Sequence, residues 1–530
     1  MSRVDSYVLA TEACQKLDLD IAPELALEAI TKDADNTEEH RGRQIHFQRG
    51  MGKNYERLEF LGDSFLKMTT TVMVFIRYPK SDELGFHVKR MEMICNLNLF
   101  NVAVDPSFGL SQYVRTRGFN RRYWYPEGMI LKGGKGALHA EMKPVKHDTI
   151  KHALAQKTIA DVSEALIGAA LLSSKEPNDY NMAIRAVTKL VGSKDHDIQN
   201  WSDYSRLYDP PPWSTDTTPE GFTHGIDSPA AKIQNRMGYR FRRPRLLRSA
   251  MTHPSYTDSI VPDYQRLEFL GDSILDMVCI RNLYDRFPNR DPQWLTEHKM
   301  AMVSNKFLGA VAVDLDFDKY LYYSGVHIPQ QISSYAFKIR DRLADAKRDN
   351  HIDFWTEIED APKCLSDTVE SYIGAVFVDS NFDYAEVENF FQKHLYWYFS
   401  DMAVYDTFAN KHPTTELHNI VTKQYKCQHY RLIVHNPAES AGLPPSAKSM
   451  AKITVGAMVH NEVVGYAEGS SGRYAKVRAS KEALQRLRGM SGEEFRRRFK
   501  CACRDVEGAV AGEAGMEVPL GGGGEEISAL

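Results

Sequence analysis

The stretch from Tyr55 to Met68, YERLEFLGDSFLKM, returns at Tyr264 to Met277 as YQRLEFLGDSILDM, with eleven of fourteen positions identical at an offset of 209. A second block follows each copy in the same order. Lys157 to Ala169, KTIADVSEALIGA, matches Lys363 to Ala375, KCLSDTVESYIGA, at an offset of 206. Two ordered blocks repeating in register mean a duplicated domain. A unit of about 200 residues is far longer than a solenoid repeat, so each copy must build its own core.

The periodicity inside each copy is helical. Leu58, Leu61, Phe65 and Met68 share one helix face, and Ile159, Val162, Leu166 and Ile167 share another. Alternation of the strand type is scarce before residue 430. The chain therefore reads as mainly α, with two all-helical domains at 1–200 and 229–402. Between them, residues 201–228 carry three consecutive prolines, Pro210 to Pro212, and read as an extended linker. Residues 411–490 read differently: a helix over 414–425, strands at 429–435, 451–456 and 461–466, and a closing helix over 474–487. Residues 491–505 form an extension, and the Gly-rich segment 506–530 reads as a disordered tail.

Composition matters here through charge. The chain of 530 residues has a formal net charge of -4, which hides a partition. Residues 411–500 hold 16 Lys+Arg against 7 Asp+Glu, a balance of +9, whereas residues 1–410 carry -8. A basic module fits a polyanionic partner, and an acidic body fits carboxylates held for metal. No run is long and apolar enough for a membrane helix, and the first residues lack the apolar core of a secretory signal. Seven cysteines, four of them isolated, point to a reducing compartment, hence an intracellular protein of the cytoplasm or nucleus.

The acids carry the chemistry. Glu59 and Asp63 lie one turn apart on the first helix, and Asp161 and Glu164 lie at i and i+3 on the later one. The second copy repeats them as Glu268, Asp272, Asp367 and Glu370. Four facing carboxylates need a counterion, and Mg²⁺ or Mn²⁺ suits an all-oxygen site. Such ions assist phosphodiester hydrolysis. The competing reading puts these acids on solvated faces or in pairs with Arg57 and Arg266. Against it, the acids recur while neighbours drift, and Gly62 and Gly271 recur mid-helix, where glycine is costly unless another backbone comes close. Glu56 becomes Gln265, so it supports rather than ligates. Lys157 and Lys363, four residues before Asp161 and Asp367, either present an ammonium to phosphate or form ordinary i,i+4 ion pairs.

These blocks resemble the ribonuclease III family, whose signature is E-R-L-E-F-L-G-D-S. Two copies followed by a basic α-β-β-β-α module are similar to the C-terminal half of the fungal Dicer-like proteins. The resemblance implies that the copies pair as an intramolecular pseudo-dimer rather than an obligate homodimer, with double-stranded RNA as substrate. It also implies that Glu59, Asp63, Asp161 and Glu164, with Glu268, Asp272, Asp367 and Glu370, form two metal-assisted sites, each cutting one strand to leave a short 3′ overhang. Such products serve RNA silencing and imply silencing-complex proteins as partners. No phosphate-loop motif of a helicase and no end-anchoring domain are recognisable in this stretch. A basic insertion, Gly109 to Lys146, is either a phosphate-contacting segment or a solvated loop. The alternative function is a non-catalytic RNA-binding scaffold that keeps the fold.

Residues 411–490 resemble a double-stranded-RNA-binding domain, although Pro437 to Ser449 lacks the usual Gly-Pro-x-His loop. The likeness places Arg473, Lys476 and Lys481, at the start of the closing helix, against phosphate. A basic solvated helix is the alternative. Cys501 and Cys503 are the sole close cysteine pair. With Cys427 and His460 they would satisfy tetrahedral Zn²⁺. The spacing is not that of a standard finger, and the resemblance to the fungal proteins supplies this ligand order. His418, His429 and His435 are rival ligands.

Overall fold

A computed structural model describes residues 2–32, 53–115, 154–435 (apart from 175, 177, 219, 359, 407 and 409–412), 453–469 and 472–503. The chain divides into two compact units, Met1–Asp406 and Thr407–Leu530.

The first unit is helical among its described residues, as the 3.6-residue pattern requires. Each repeat builds one long signature helix, α1 (Glu56–Arg77) in the first copy and α4 (Gln265–Arg286) in the second. Each signature helix is followed by a shorter one, α2 (Glu83–Ile94) and α5 (Pro292–Met302). Each packs along a later helix, α3 (Gln156–Leu172) or α6 (Lys363–Asp379), carrying the second repeat block. Leu58, Leu61, Phe65 and Met68 of α1 and Ile159, Val162, Leu166 and Ile167 of α3 are all buried.

The glycines set the spacing between the helices. A Cβ on Gly62 would overlap the Glu164 carbonyl oxygen, and one on Gly168 would overlap that of Leu58. Gly271 and Gly374 meet Glu370 and Leu267 in the same way. The missing side chains let the two backbones touch, which is the close approach expected for Gly62 and Gly271.

The two copies dock through α1 and α4. Arg57 donates to the carbonyls of Tyr284 and Arg290, and Arg266 to those of Phe75 and Pro79. These arginines reach across to the opposite copy instead of pairing with the signature acids. Phe86 stacks on Phe269 with ring centroids 5.1 Å apart. The segment read as an extended linker instead contains two short helices, Ser202–Leu207 and Pro212–Thr215. Pro212 stands in the first turn, where its fixed φ suits a helix start and its missing N–H is no loss. Trp201 donates to the carbonyl of Phe382 in the second copy, and buried Tyr204 to that of Thr69 in the first.

The second unit carries a three-stranded antiparallel sheet, β1 (Tyr430–His435), β2 (Ile453–Val459) and β3 (Glu462–Gly469), in that order. A helix, α7 (Pro413–Asn419), runs on through a wider turn at Ile420–Gln424. The closing helix α8 (Gly472–Leu487) packs on the sheet, and α9 (Gly492–Arg498), not anticipated from the sequence, follows it. Leu417, Val421, Val459, Leu484 and Phe495 share its core. Residues 116–153 (which include most of the basic insertion), the 436–452 segment and the tail from 504 lie outside the described residues.

Replacing Gly62 with Ala forces α1 from α3. Overpacking of this kind costs about 1–3 kcal/mol, and chemical denaturation should show at least that loss. An unchanged midpoint would mean the helices do not touch.

Candidate active sites and a candidate zinc centre

Because α1 and α3 are pinned at backbone contact, the acids beside the glycines are forced together. Glu59, Asp161 and Glu164 bring ligand oxygens within 4.8 Å of one another, and Glu268, Asp367 and Glu370 do the same. Asp161, Glu164, Asp367 and Glu370 are buried. The oxygen-only donor sets fit a hard divalent cation.

Asp63 and Asp272 are not part of these trios. Four residues along a helix is about 6 Å of rise, which carries each aspartate toward the opposite copy. Asp272 accepts an ion pair from Lys67 at 3.1 Å. Asp63 feels Lys299 as its strongest neighbouring charge. Both remain electrostatic neighbours of the trios, since Asp63 raises Glu164 and Asp272 raises Glu370. The expected quartets are thus trios with a fourth acid held at the interface.

Both lysines take up the i,i+4 pair and more. Lys157 lies 3.2 Å from Asp161 and 3.9 Å from Glu59. Lys363 lies 2.8 Å from Asp367 and 3.1 Å from Glu268. Each ammonium therefore bridges two acids of its trio while staying largely exposed.

Two further residues were overlooked from the sequence. The hydroxyl of Tyr264 donates to Asp367 at 2.9 Å, and that of Tyr55 to Asp161 at 3.4 Å. Burial, then the Asp367 charge, holds the Tyr264 hydroxyl protonated. Both tyrosines open the repeated motif, so their retention was the available signal. Gln265 donates to Glu83 of the first copy at 2.9 Å. A glutamate at 265 would face a like charge, which is a reason for glutamine there.

Burial, followed by the neighbouring Asp161 or Asp367, pushes Glu59 and Glu268 up to about 7. Burial drives Glu164 and Glu370 well above the ordinary carboxyl range.

In the second unit, Cys427, His460, Cys501 and Cys503 also converge within 4.8 Å. Cys427 Sγ lies 3.4 Å from His460 Nε2, and Cys503 Sγ lies 4.0 Å from Cys427 Sγ and 3.9 Å from His460 Nε2. Tetrahedral Zn²⁺ with sulfurs at about 2.3 Å sets neighbouring sulfurs about 3.8 Å apart, so the set fits. Lys426, His460 and Lys500 all adopt left-handed backbone, at φ 54°, 52° and 47°. Non-glycine residues hold that conformation where the surroundings enforce it. Here it turns the chain at each of three ligand-bearing segments. The rival His429 rests against the His460 ring at 4.9 Å, and His418 against Tyr430, outside the cluster. His435, at the far end of β1, is likewise not in it.

Lys476 and Lys481 are exposed on α8, in whose first turn Arg473 also lies. Among the described residues, no helix is long and apolar enough to cross a membrane.

Helical copies that meet through their signature helices and mirror one another's acid trios define the ribonuclease III fold. The description "Ribonuclease III domain" matches residues 56–175 and 265–381, and "dsRNA binding domain" matches 405–489. The chain thus carries tandem ribonuclease III domains followed by a double-stranded-RNA-binding domain. It is 49% identical over 520 residues to Dicer-like protein 1 of Aspergillus oryzae, covering 98% of this chain and 33% of that protein. It is 45% identical over 538 residues to Dicer-like protein 1 of Neurospora crassa, covering 96% of this chain and 33% of that protein. The chain thus spans about a third of the length of the curated relatives it matches. A solved structure, Dicer from Pichia stipitis, aligns with 47% of this chain and 95% of its own at 22% identity, with a TM-score of 0.22.

A carboxyl whose pKa is raised by folding binds more protons folded than unfolded. Its contribution to stability therefore falls as pH rises from about 4.5 toward 7 for Glu59 and Glu268. In EDTA, the melting temperature of the first unit should drop between pH 5 and pH 8, and Mg²⁺ should offset the drop. A flat profile would contradict the crowding of the trios. For the second unit, Cys501→Ser should lower bound zinc from about one equivalent to near zero by elemental analysis.

Proposed function

We propose that the chain is the nuclease portion of a Dicer-like endoribonuclease that cuts both strands of double-stranded RNA by metal-assisted hydrolysis. The observation that carries this reading is the presence of a complete carboxylate trio in each copy. A scaffold that kept only the fold would have no need of two intact sets of crowded acids, two of each three buried, which cost stability without a cation.

Glu59, Asp161 and Glu164 would hold Mg²⁺ or Mn²⁺ in the first site, and Glu268, Asp367 and Glu370 in the second. The bound cation supplies charge neutralisation at the scissile phosphate and eases deprotonation of the attacking water. Tyr55 and Tyr264 orient Asp161 and Asp367 through their hydroxyls. Lys157 and Lys363 balance the negative charge and stand near enough to meet a phosphate oxygen. Asp63 and Asp272 add negative charge beside the trios, which raises Glu164 and Glu370 further and strengthens the need for a cation. The third domain grips duplex shape through phosphates and 2′-hydroxyls, with Arg473, Lys476 and Lys481 as its cations. Zn²⁺ on Cys427, His460, Cys501 and Cys503 pins the segment after α9 to the sheet. The products are short duplexes with 3′ overhangs, and RNA silencing is their use.

On a duplex labelled separately on each strand, Glu164→Ala and Glu370→Ala should each abolish cutting of one strand by at least 100-fold and spare the other. Loss of both cuts in either single variant would refute the assignment of one site to each strand. A wild-type chain inert with Mg²⁺ and Mn²⁺ would support a scaffold.

A further inference from the structure

The repeat drifts at one charged position, and the structure shows where that drift falls. Lys67 in the first copy corresponds to Asp276 in the second, at the same offset of 209 as the signature itself. The two side chains meet across the interface at 3.6 Å, with only 8% and 6% of their surfaces exposed. Lys67 also reaches Asp272 at 3.1 Å. Lys299, the counterpart of Arg90, lies 3.1 Å from Asp276. Arg90 is buried, donates to Thr71 within its own copy and lies 4.7 Å from the centroid of Phe269 in the other.

Each half thus contributes three charges at equivalent positions. The first half brings Asp63, Lys67 and Arg90, a balance of +1. The second brings Asp272, Asp276 and Lys299, a balance of -1. Joined as they are, the six sum to zero. A pairing of two first halves would bring lysine against lysine with a net +2, and two second halves would bring aspartate against aspartate with a net -2. Like charges at this range, on groups shielded from water, oppose association strongly. The arginine contacts offer less choice, because Arg57 and Arg266 each bond a carbonyl at an equivalent position, Tyr284 and Phe75.

We propose that Lys67 and Asp276, with their flanking charges, make this interface accept only the opposite half and reject like-with-like pairing between chains. The repulsive arrangement is the selective element.

The test is a charge-exchange cycle in the full chain. Lys67→Asp and Asp276→Lys each place like charges at the contact. The exchanged pair, Lys67→Asp with Asp276→Lys, restores opposite charges with the symmetry reversed. Its lysine then lies between Asp63 and the new acid, as Lys67 now lies between Asp272 and Asp276. Each single variant should melt roughly 10 °C lower and stay monomeric, because Lys67→Asp leaves acid against acid, and Asp276→Lys lysine against lysine, in every pairing. Mixed in equal amounts, the two single variants should associate by light scattering, since the first half of each then meets an opposite charge on the second half of the other; no association would overturn the proposal. The double variant should return to within about 3 °C of wild type. Where a single variant fails to fold, the double variant decides alone: recovery supports the proposal, and failure overturns it. Single variants that stay monomeric with an unshifted midpoint would also overturn it, as would a double variant whose loss equals the sum of the singles.

Discussion

The structure depends on backbone touching backbone. Where α1 crosses α3 there is no room for a Cβ at Gly62 or Gly168, and α4 and α6 repeat the crossing at Gly271 and Gly374. The residues that flank these crossings are the acids. Glu164 supplies the carbonyl that Gly62 meets, and Glu370 the one that Gly271 meets. Close packing and charge crowding are therefore one event. The helices come together on apolar faces, and three carboxylates are carried into one another's company. The folding free energy of the apolar core holds in place a cluster that electrostatics alone would scatter.

A second layer of constraint lies between the copies. The signature arginines serve the opposite half, and the drifted charges tell the halves apart. Near-identity in the repeat maintains a common docking geometry, while a few departures give it polarity. Gln265 against Glu83 and Asp276 against Lys67 are such departures, and both lie at the seam.

Much of this was legible in the residues. The helical faces at Leu58 and Ile159, the recurring acids and the costly mid-helix glycines all announced themselves through duplication, which acts as an internal comparison. Cys427, His460, Cys501 and Cys503 do converge, yet spacing alone did not single them out, because their convergence depends on left-handed turns at Lys426, His460 and Lys500 that leave no mark in composition. The role of Arg57 and Arg266 was not legible, because their acceptors are carbonyls 187 to 233 residues away in the chain. Asp63 looked like a member of the cluster because a helix face records direction but not height along the axis. The proline run looked extended, yet Tyr204 and Trp201 find buried partners on both copies and fold it down. A sequence shows aromatic residues in a linker but not the groove that receives them.

The reach of Arg57 has a temporal side. Its two acceptors, Tyr284 and Arg290, lie 227 and 233 residues further along the chain. At roughly 5–20 residues per second, a ribosome needs about ten to fifty seconds to make them. During that interval the first half displays an unfilled guanidinium, the Phe86 ring and a buried-to-be lysine to the surroundings. Glu59, Asp161 and Glu164 all precede Tyr284, so the whole first trio is synthesised before the carbonyls that Arg57 binds.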